Sequence, residues 1–485
     1  MRLRLAFRLV SVAAACVALV GILPAIASGA AGPGVPVVAE PAAAVGFDAI
    51  RRTRPEWPGD PTGALGTDWL LAAVNDSYAV YDRSGIAAIG PNPLASMFAL
   101  PPRIEISDAR IVYDQYRERF VLVFLGVDRV ARTSVLYLVS IPDASATDPG
   151  TWCGARVVSD RTAGDGKQYA DDLGLGYDEQ RVVVTEDTYD FAGRAFAGST
   201  VLSFPKGGLY DCSRTLRFAT FSGAETRNPS GSLASAMQPA STVGSGTAMY
   251  LTSFDPGRPD FVVLWRISDG NRGPTLRSVA LRVPAVRAAE RGTQGGADIG
   301  RRDSWWDPGD LRLASTFADL DLGSVFTAHV VSVDLGPDVG TAYREAAIRW
   351  YEIQPGNGLA NARIARTGTI GTPQTDAGWP SLATDTSGDL FVTYSRASAV
   401  TNEFLSAWIA EIPPGTSTEQ TMLLESGTAR FEAVRGRERW GQLTATSRDP
   451  VDGRSIASVD QVALGDGSGP TDVWQQTIHF VSDAP

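Results

Sequence analysis

Four stretches of the chain share one rhythm, and it restricts the fold more than any other feature. They are "SDARIVYDQYRERFVLVFLG" (107–126), "ADDLGLGYDEQRVVVTEDTY" (170–189), "GWPSLATDTSGDLFVTYSRA" (378–397) and "ERWGQLTATSRDPVDGRSIASV" (438–459). Each holds a short apolar-polar run, an aspartate at a turn, a few turn residues and a second alternating run. Period-2 alternation on both sides of a turn signal is the pattern of a β-hairpin. The turn aspartates are Asp114, Asp178, Asp385 and Asp449, separated by 64, 207 and 64 residues. The long gap is roughly three times the short one, so two degenerate copies are expected inside it. "QPASTVGSGTAMYLTSF" (238–254) and "LRLASTFADLDLGSVFTAHVVSV" (311–333) keep the rhythm but not the aspartate. An aspartate at such a turn can accept bonds from backbone N–H groups two residues on. Its recurrence predicts turn chemistry rather than catalysis.

An all-strand repeat of about 65 residues implies a β-propeller. Each blade is a small antiparallel sheet that cannot cover both of its faces alone, and radial packing covers them. The 50 glycines and 30 prolines supply the turns. Six copies run from residue 104 to the end, and a shorter seventh is read at 61–90. Seven blades are therefore expected, with six as the alternative. The last copy lacks an outer strand, so a segment near "VPVVAE" (35–40) is expected to complete it and protect both edges.

The chain opens with Arg2, Arg4 and Arg8, an apolar run to Leu23, Pro24 and the small-x-small pattern Ala25-Ile26-Ala27. This is the layout of a secretory signal peptide over residues 1–27. Residues 28–60 then read as linker and closing strand, and 61–485 as the propeller. No other long apolar stretch exists, so a soluble, exported, monomeric protein is expected. Removing the three arginines takes the formal charge from −11 to −14, which disfavours nucleic acid and anionic membranes. Cys153 and Cys212 remain, an even pair that suggests one disulfide in an oxidising compartment. The only histidines, His329 and His479, both sit in alternating apolar runs. That pattern places them in strands, which weakens the case for a serine triad or a histidine metal site.

"WLLAAVNDSYAVYDRSG", "DARIVYDQYRERFVLVF", "YADDLGLGYDEQRVVVTEDTYDFAGRAFAGSTVLSFPK" and "RWGQLTATSRDPVDG" resemble a group of exported bacterial β-propeller proteins. The resemblance covers most of the chain after the signal and implies the fold. It brings no settled activity. Two positions depart from that group's pattern: Gln442 stands where an acid often follows Trp-Gly, and Glu186 where an asparagine is usual.

Ligands of propellers bind at one mouth of the central channel, on loops and the ends of innermost strands. Segments just ahead of the repeat turns map there. They supply Asp108, Arg110, Asp171, Asp172, Arg312, Trp379, Arg439 and Trp440 as candidate ligand-binding residues. Carboxylates, guanidiniums and indoles together suit a glycan, a cell-surface component or a protein partner. Asp171 and Asp172 are neighbours, which on a regular strand face opposite ways. An acid pair for glycoside hydrolysis would then join Asp108 with Asp172. The S-x-D-x-G-x-x-W box of propeller sialidases is missing, with only a loose echo at 385–391. Adjacent Trp305 and Trp306 suggest a surface platform. Asp319 and Asp321 are spaced to offer oxygens to Ca²⁺. The expectation is a binding propeller, with a carboxylate glycosidase or lyase as the alternative.

Overall fold

The computed structural model describes residues 43–51, 58–159, 162–163, 166–213, 215–296, 305–336, 344–432, 440–466 and 469–482. The alternating runs form strands, and each turn aspartate closes a hairpin. Glu105–Asp114 and Arg119–Asp128 flank the first such turn, Gly166–Tyr177 and Arg181–Asp190 the second. Asp376–Thr384 and Leu390–Ser398 flank the third, Ala445–Arg448 and Ile456–Ala463 the fourth.

Among the described residues, strand pairing gives five separate four-stranded sheets and one of ten strands. The larger sheet has two four-stranded arms, which begin at Gly166–Tyr177 and at Ser315–Asp319. The short strand Ser241–Val243 pairs in parallel with both and joins them. The leading strands, with the segments beside them, wall one central cavity of about 120 Å³, to which Ala64, Val112, Leu175, Val243, Phe317, Leu382 and Ala445 contribute. Sheets whose leading strands meet around one space stand radially about it. This is a β-propeller.

The apolar core lies in slabs between neighbouring sheets. Val121 and Leu138 of one pack with Val184 and Phe204 of the next; Ile348 and Trp350 pack with Val392 and Ile409. Each such side chain contributes roughly 1.5–3 kcal/mol on burial. The repeat interval is visible in the polar contacts across these slabs. Thr393 donates to Ser458 at 2.9 Å and Ser395 to Asp460 at 2.8 Å, each pair 65 residues apart.

The turn aspartates do the work expected of them. Asp114 accepts from Tyr116 N, Asp178 from Gln180 N and Arg181 N, Asp385 from Asp389 N, and Asp449 from Val451 N, all at 2.7–3.0 Å. One expectation is corrected: the copy at 311–333 has kept its aspartate. Asp319 accepts from Asp321 N and Leu322 N, both at 3.1 Å. In the copy at 61–90 the turn is held by another sheet's connection. Asp143 accepts from Thr67 N, Asp68 N and Trp69 N at 2.6, 3.1 and 3.3 Å.

The last sheet runs Ala445–Arg448, Ile456–Ala463, Trp474–Ser482 and then Ala43–Arg51, which pairs antiparallel with Trp474–Ser482. The closing strand is thus residues 43–51; residues 35–40 and the signal-like residues 1–27 lie outside the described residues. Cys153 and Cys212 form a disulfide that closes a span of 59 residues. It ties the outer strand Cys153–Val158 to the segment after the short helix Lys206–Tyr210 of the next sheet. Among the described residues, no helix is long and apolar enough to cross a membrane.

Candidate functional site

Three leading strands carry the same irregularity six residues before the turn aspartate. In each, two residues oppose one on the partner strand: after Ser107, after Asp171 and after Gly378. The first residue of each bulge is left-handed: Asp108 at φ 55°, Asp172 at φ 50° and Trp379 at φ 52°. Aspartate tolerates this region better than most side chains. A bulge re-aims the side chains around it. This corrects the expectation that Asp171 and Asp172 diverge as strand neighbours, because both line one cavity.

That cavity, about 240 Å³, is walled by Asp108, Asp171, Asp172 and Arg312 together with Asp60, Asn75, Glu105, Arg129, Tyr169 and Gln442. Its backbone and side chains are tied from several sheets. Asn75 Oδ1 accepts from Asp108 N at 3.1 Å, Asp60 accepts from Gln442 N, and Arg129 Nε donates to Glu105 at 2.7 Å. Arg312 pairs with Asp172 and donates through Nε to Asp310 at 2.9 Å. Arg110 sits beside Asp108 and donates to the Leu173 carbonyl at 2.7 Å.

Crowded carboxylates in a poorly hydrated space shift each other's protons. Burial, then the charge of Asp171, raises the Asp108 carboxyl well above the usual carboxylate range, against the pull of Arg110. Burial also lowers the Arg110 guanidinium from its ordinary value, opposed chiefly by Asp108. For Arg312, burial works against the charged form, but Asp172 and Asp310 outweigh it and hold the guanidinium above its ordinary value. Behind it, Asp187 is pushed up to about 7 by burial and by Asp172, although Ser199 and the Ala236 N–H pull the other way. Burial thus biases Asp108 toward its protonated form, while the ion pair with Arg312 fixes Asp172 in the same cavity.

The tryptophans do not join this group. Trp379 is 9% exposed, its indole N–H donating to the Asp307 carbonyl at 2.6 Å. Trp440 is 1% exposed and donates to Ser395 Oγ at 3.0 Å. Both are packing residues; at Trp379 the same bulge that offers a carboxylate at Asp108 and Asp172 turns the indole into protein. Arg439 lies outside the described residues. Trp306 is buried with its N–H on the Thr293 carbonyl at 3.1 Å, and Trp305 is half-buried under Arg291, 3.6 Å from its ring centroid. Neither makes a bare platform.

His329 is fully buried in its strand, bonded at 2.9 Å to the Leu311 carbonyl and at 3.1 Å to the Tyr351 hydroxyl. Burial lowers both His329 and His479 to about 4, so both are neutral at physiological pH. Asp319 is occupied by the turn N–H groups, Thr384 and Arg448, and Asp321 accepts from Ser245 N at 3.0 Å. Among the described residues, no group of three or more His, Cys, Asp or Glu is arranged to hold a metal ion.

Sequence reasoning missed Asp60, Asn75, Glu105, Arg129 and Tyr169. Asn75 stands in an Asn75-Asp76 pair, which marks a turn and not a site, and nothing local marks the others.

No family model matches the chain, and no curated protein matches it. Among solved structures, a protein of unknown function from Dyadobacter fermentans aligns at 9% identity and TM-score 0.41, covering 91% of this chain and 99% of its own. The α-L-arabinofuranosidase of Fusarium graminearum aligns at 7% and 0.40, covering 89% and 97%. The α-L-arabinanase of Penicillium chrysogenum aligns at 10% and 0.38, covering 90% and 98%. Likeness this weak carries no activity over to this chain, whose propeller is established by its own strand pairing.

Proposed function

We propose that this protein is a secreted, monomeric β-propeller that recognises a saccharide at one mouth of its channel. The observation that carries the reading is the convergence of Asp60, Asp108, Asp171, Asp172 and Arg312 on one cavity of about 240 Å³, from the strands Glu105–Asp114 and Gly166–Tyr177 and the segments ahead of Thr62–Leu65 and Ser315–Asp319. Carboxylates with guanidiniums paired among them suit a ligand dense in hydroxyl groups. Such a ligand both donates and accepts hydrogen bonds. A cell-surface glycan or a glycosylated protein partner fits the same chemistry. The blade count in this reading is seven, each arm of the ten-stranded sheet being one blade. Residues 1–27 are its signal peptide, and Ca²⁺ has no assigned place.

A second reading, glycoside cleavage by hydrolysis or elimination, is favoured by one observation. Asp108 is raised well above the carboxylate range while Asp172 is held by Arg312. Carboxyls whose environments differ in this way can divide the acid and base roles. Asp108 would then protonate the leaving oxygen and Asp172 would act as base or nucleophile.

The test is a thermal-shift panel of saccharides on the full chain, followed by product analysis of every hit. A ligand that binds only the native state raises the melting temperature. Asp172→Asn is expected to abolish the shift. Product formation lost in Asp108→Asn with binding retained supports cleavage; binding without products supports recognition alone. A flat panel sinks both. Secretion is tested by sequencing the protein from culture medium, where the expected first residue is Ser28.

A further inference from the structure

The mouth cavity has a neighbour. A groove of about 500 Å³ lies on the far side of Arg312, lined by Asp187, Tyr189, Phe196, Leu233, Pro256 and Arg312 itself. Arg312 is the residue common to the two spaces. Its guanidinium is immobilised between Asp172 and Asp310, so it forms a fixed sill rather than a mobile gate.

An aromatic row crosses the same boundary. Tyr169, Tyr189 and Phe196 stand directly opposite one another on three adjacent strands, Gly166–Tyr177, Arg181–Asp190 and Phe196–Pro205. Their ring centroids lie 5.8 Å and 5.5 Å apart. Tyr169 belongs to the mouth cavity and is buried; Tyr189 and Phe196 belong to the groove and are half-buried. Beside them Asp187 is locked in place, both of its oxygens at 3.0 Å from Ala236 N and one of them bonded to Ser199. Partly open rings beside a fixed carboxyl and a fixed guanidinium provide an apolar face with a few oriented polar groups. The C–H face of a sugar ring stacks on the first, and its hydroxyls meet the second.

We propose that the groove is a second saccharide subsite, so that the ligand is an oligosaccharide of at least two rings crossing over Arg312. This rests on the mouth cavity being a saccharide site. The experiment is isothermal titration of the full chain. The probes are arabinose, galactose, glucose and xylose, and linear di- and trisaccharides of each. For the sugar that binds, the oligosaccharide is expected to bind at least tenfold more tightly than the monosaccharide. Leu233→Trp fills the groove and is expected to bring the oligosaccharide down to the monosaccharide's affinity, leaving the monosaccharide unchanged. Phe196→Ala, which removes bulk instead of adding it, is expected to weaken only the oligosaccharide, by three- to tenfold, and serves if the larger side chain disturbs folding. Equal affinities for mono- and oligosaccharide, or loss of monosaccharide binding in both variants, overturns the second subsite and leaves the first standing. No binding of any probe to folded protein overturns both.

Discussion

Asp460 is enclosed by protein, 1% exposed, with one oxygen accepting from Ser395 Oγ at 2.8 Å and Gln461 N at 2.7 Å. Burial pushes its carboxyl up to about 8, and Asp187 likewise reaches about 7. An unfolded aspartate titrates near 3.9. Between that value and the folded one, the native state holds a proton that the unfolded chain has released. Stability therefore falls as pH rises through this window, and the penalty is complete above it. Each such carboxyl contributes a slope of up to about 1.4 kcal/mol per pH unit. Urea unfolding at pH 5, 6.5 and 8 should show the wild type losing stability across the series. Asp460→Asn should flatten that loss; an unchanged slope would show that Asp460 is not the titrating group. The same sign at Asp108 predicts that Asp108→Asn is no less stable than wild type at pH 8, so its use as a binding or catalytic probe is not confounded by unfolding.

At the scale of elements, the hairpin turns show how one backbone requirement is met from different places. Asp114, Asp178, Asp319, Asp385 and Asp449 each serve their own turn. Asp143 serves Thr67–Trp69 from more than 70 residues away, and also accepts from the Tyr113 hydroxyl at 3.2 Å. Asp143→Ala leaves three N–H groups without that acceptor and is expected to cost about 1–3 kcal/mol. Asp452→Ala, on an exposed part of its turn, should cost well under 1 kcal/mol by the same denaturation measurement. This contrast explains what could be read from the sequence. A carboxylate bonding two residues ahead leaves a local mark, which is why the repeat and its strands were legible. Asp319, paired in the sequence with Asp321, reads as an oxygen donor for Ca²⁺, whereas it serves its own turn. Asp143 was invisible because its partners lie in another sheet. The convergence of Asp108, Asp171, Asp172 and Arg312 could be anticipated from their common place ahead of the turns. The fate of Trp379 could not, since a bulge residue is re-aimed by backbone angles that spacing does not encode. The Tyr169–Tyr189–Phe196 row depends on the register of three strands and leaves no periodic trace.

The whole molecule is held as a ring by two long-range ties. The disulfide should contribute about 4 kcal/mol for its 59-residue span in the chain-entropy model. Cys153→Ser with Cys212→Ser should lower the denaturation free energy by no more than that. Deleting residues 43–51 strips the strand from Trp474–Ser482 and bares its edge, an invitation to pair with other chains. Size-exclusion chromatography should then show a larger assembly than the intact chain forms; an unchanged elution volume would mean that the edge is covered some other way. The same closure also has a history in time. Ile50 N donates to the side chain of Gln476, 426 residues later. At ribosomal speeds of roughly 5–20 residues per second, the first of these partners waits on the order of 20–90 s for the second. Until Trp474–Ser482 exists, Ala43–Arg51 has no strand to pair with, so this closure is among the last pairings the chain can make.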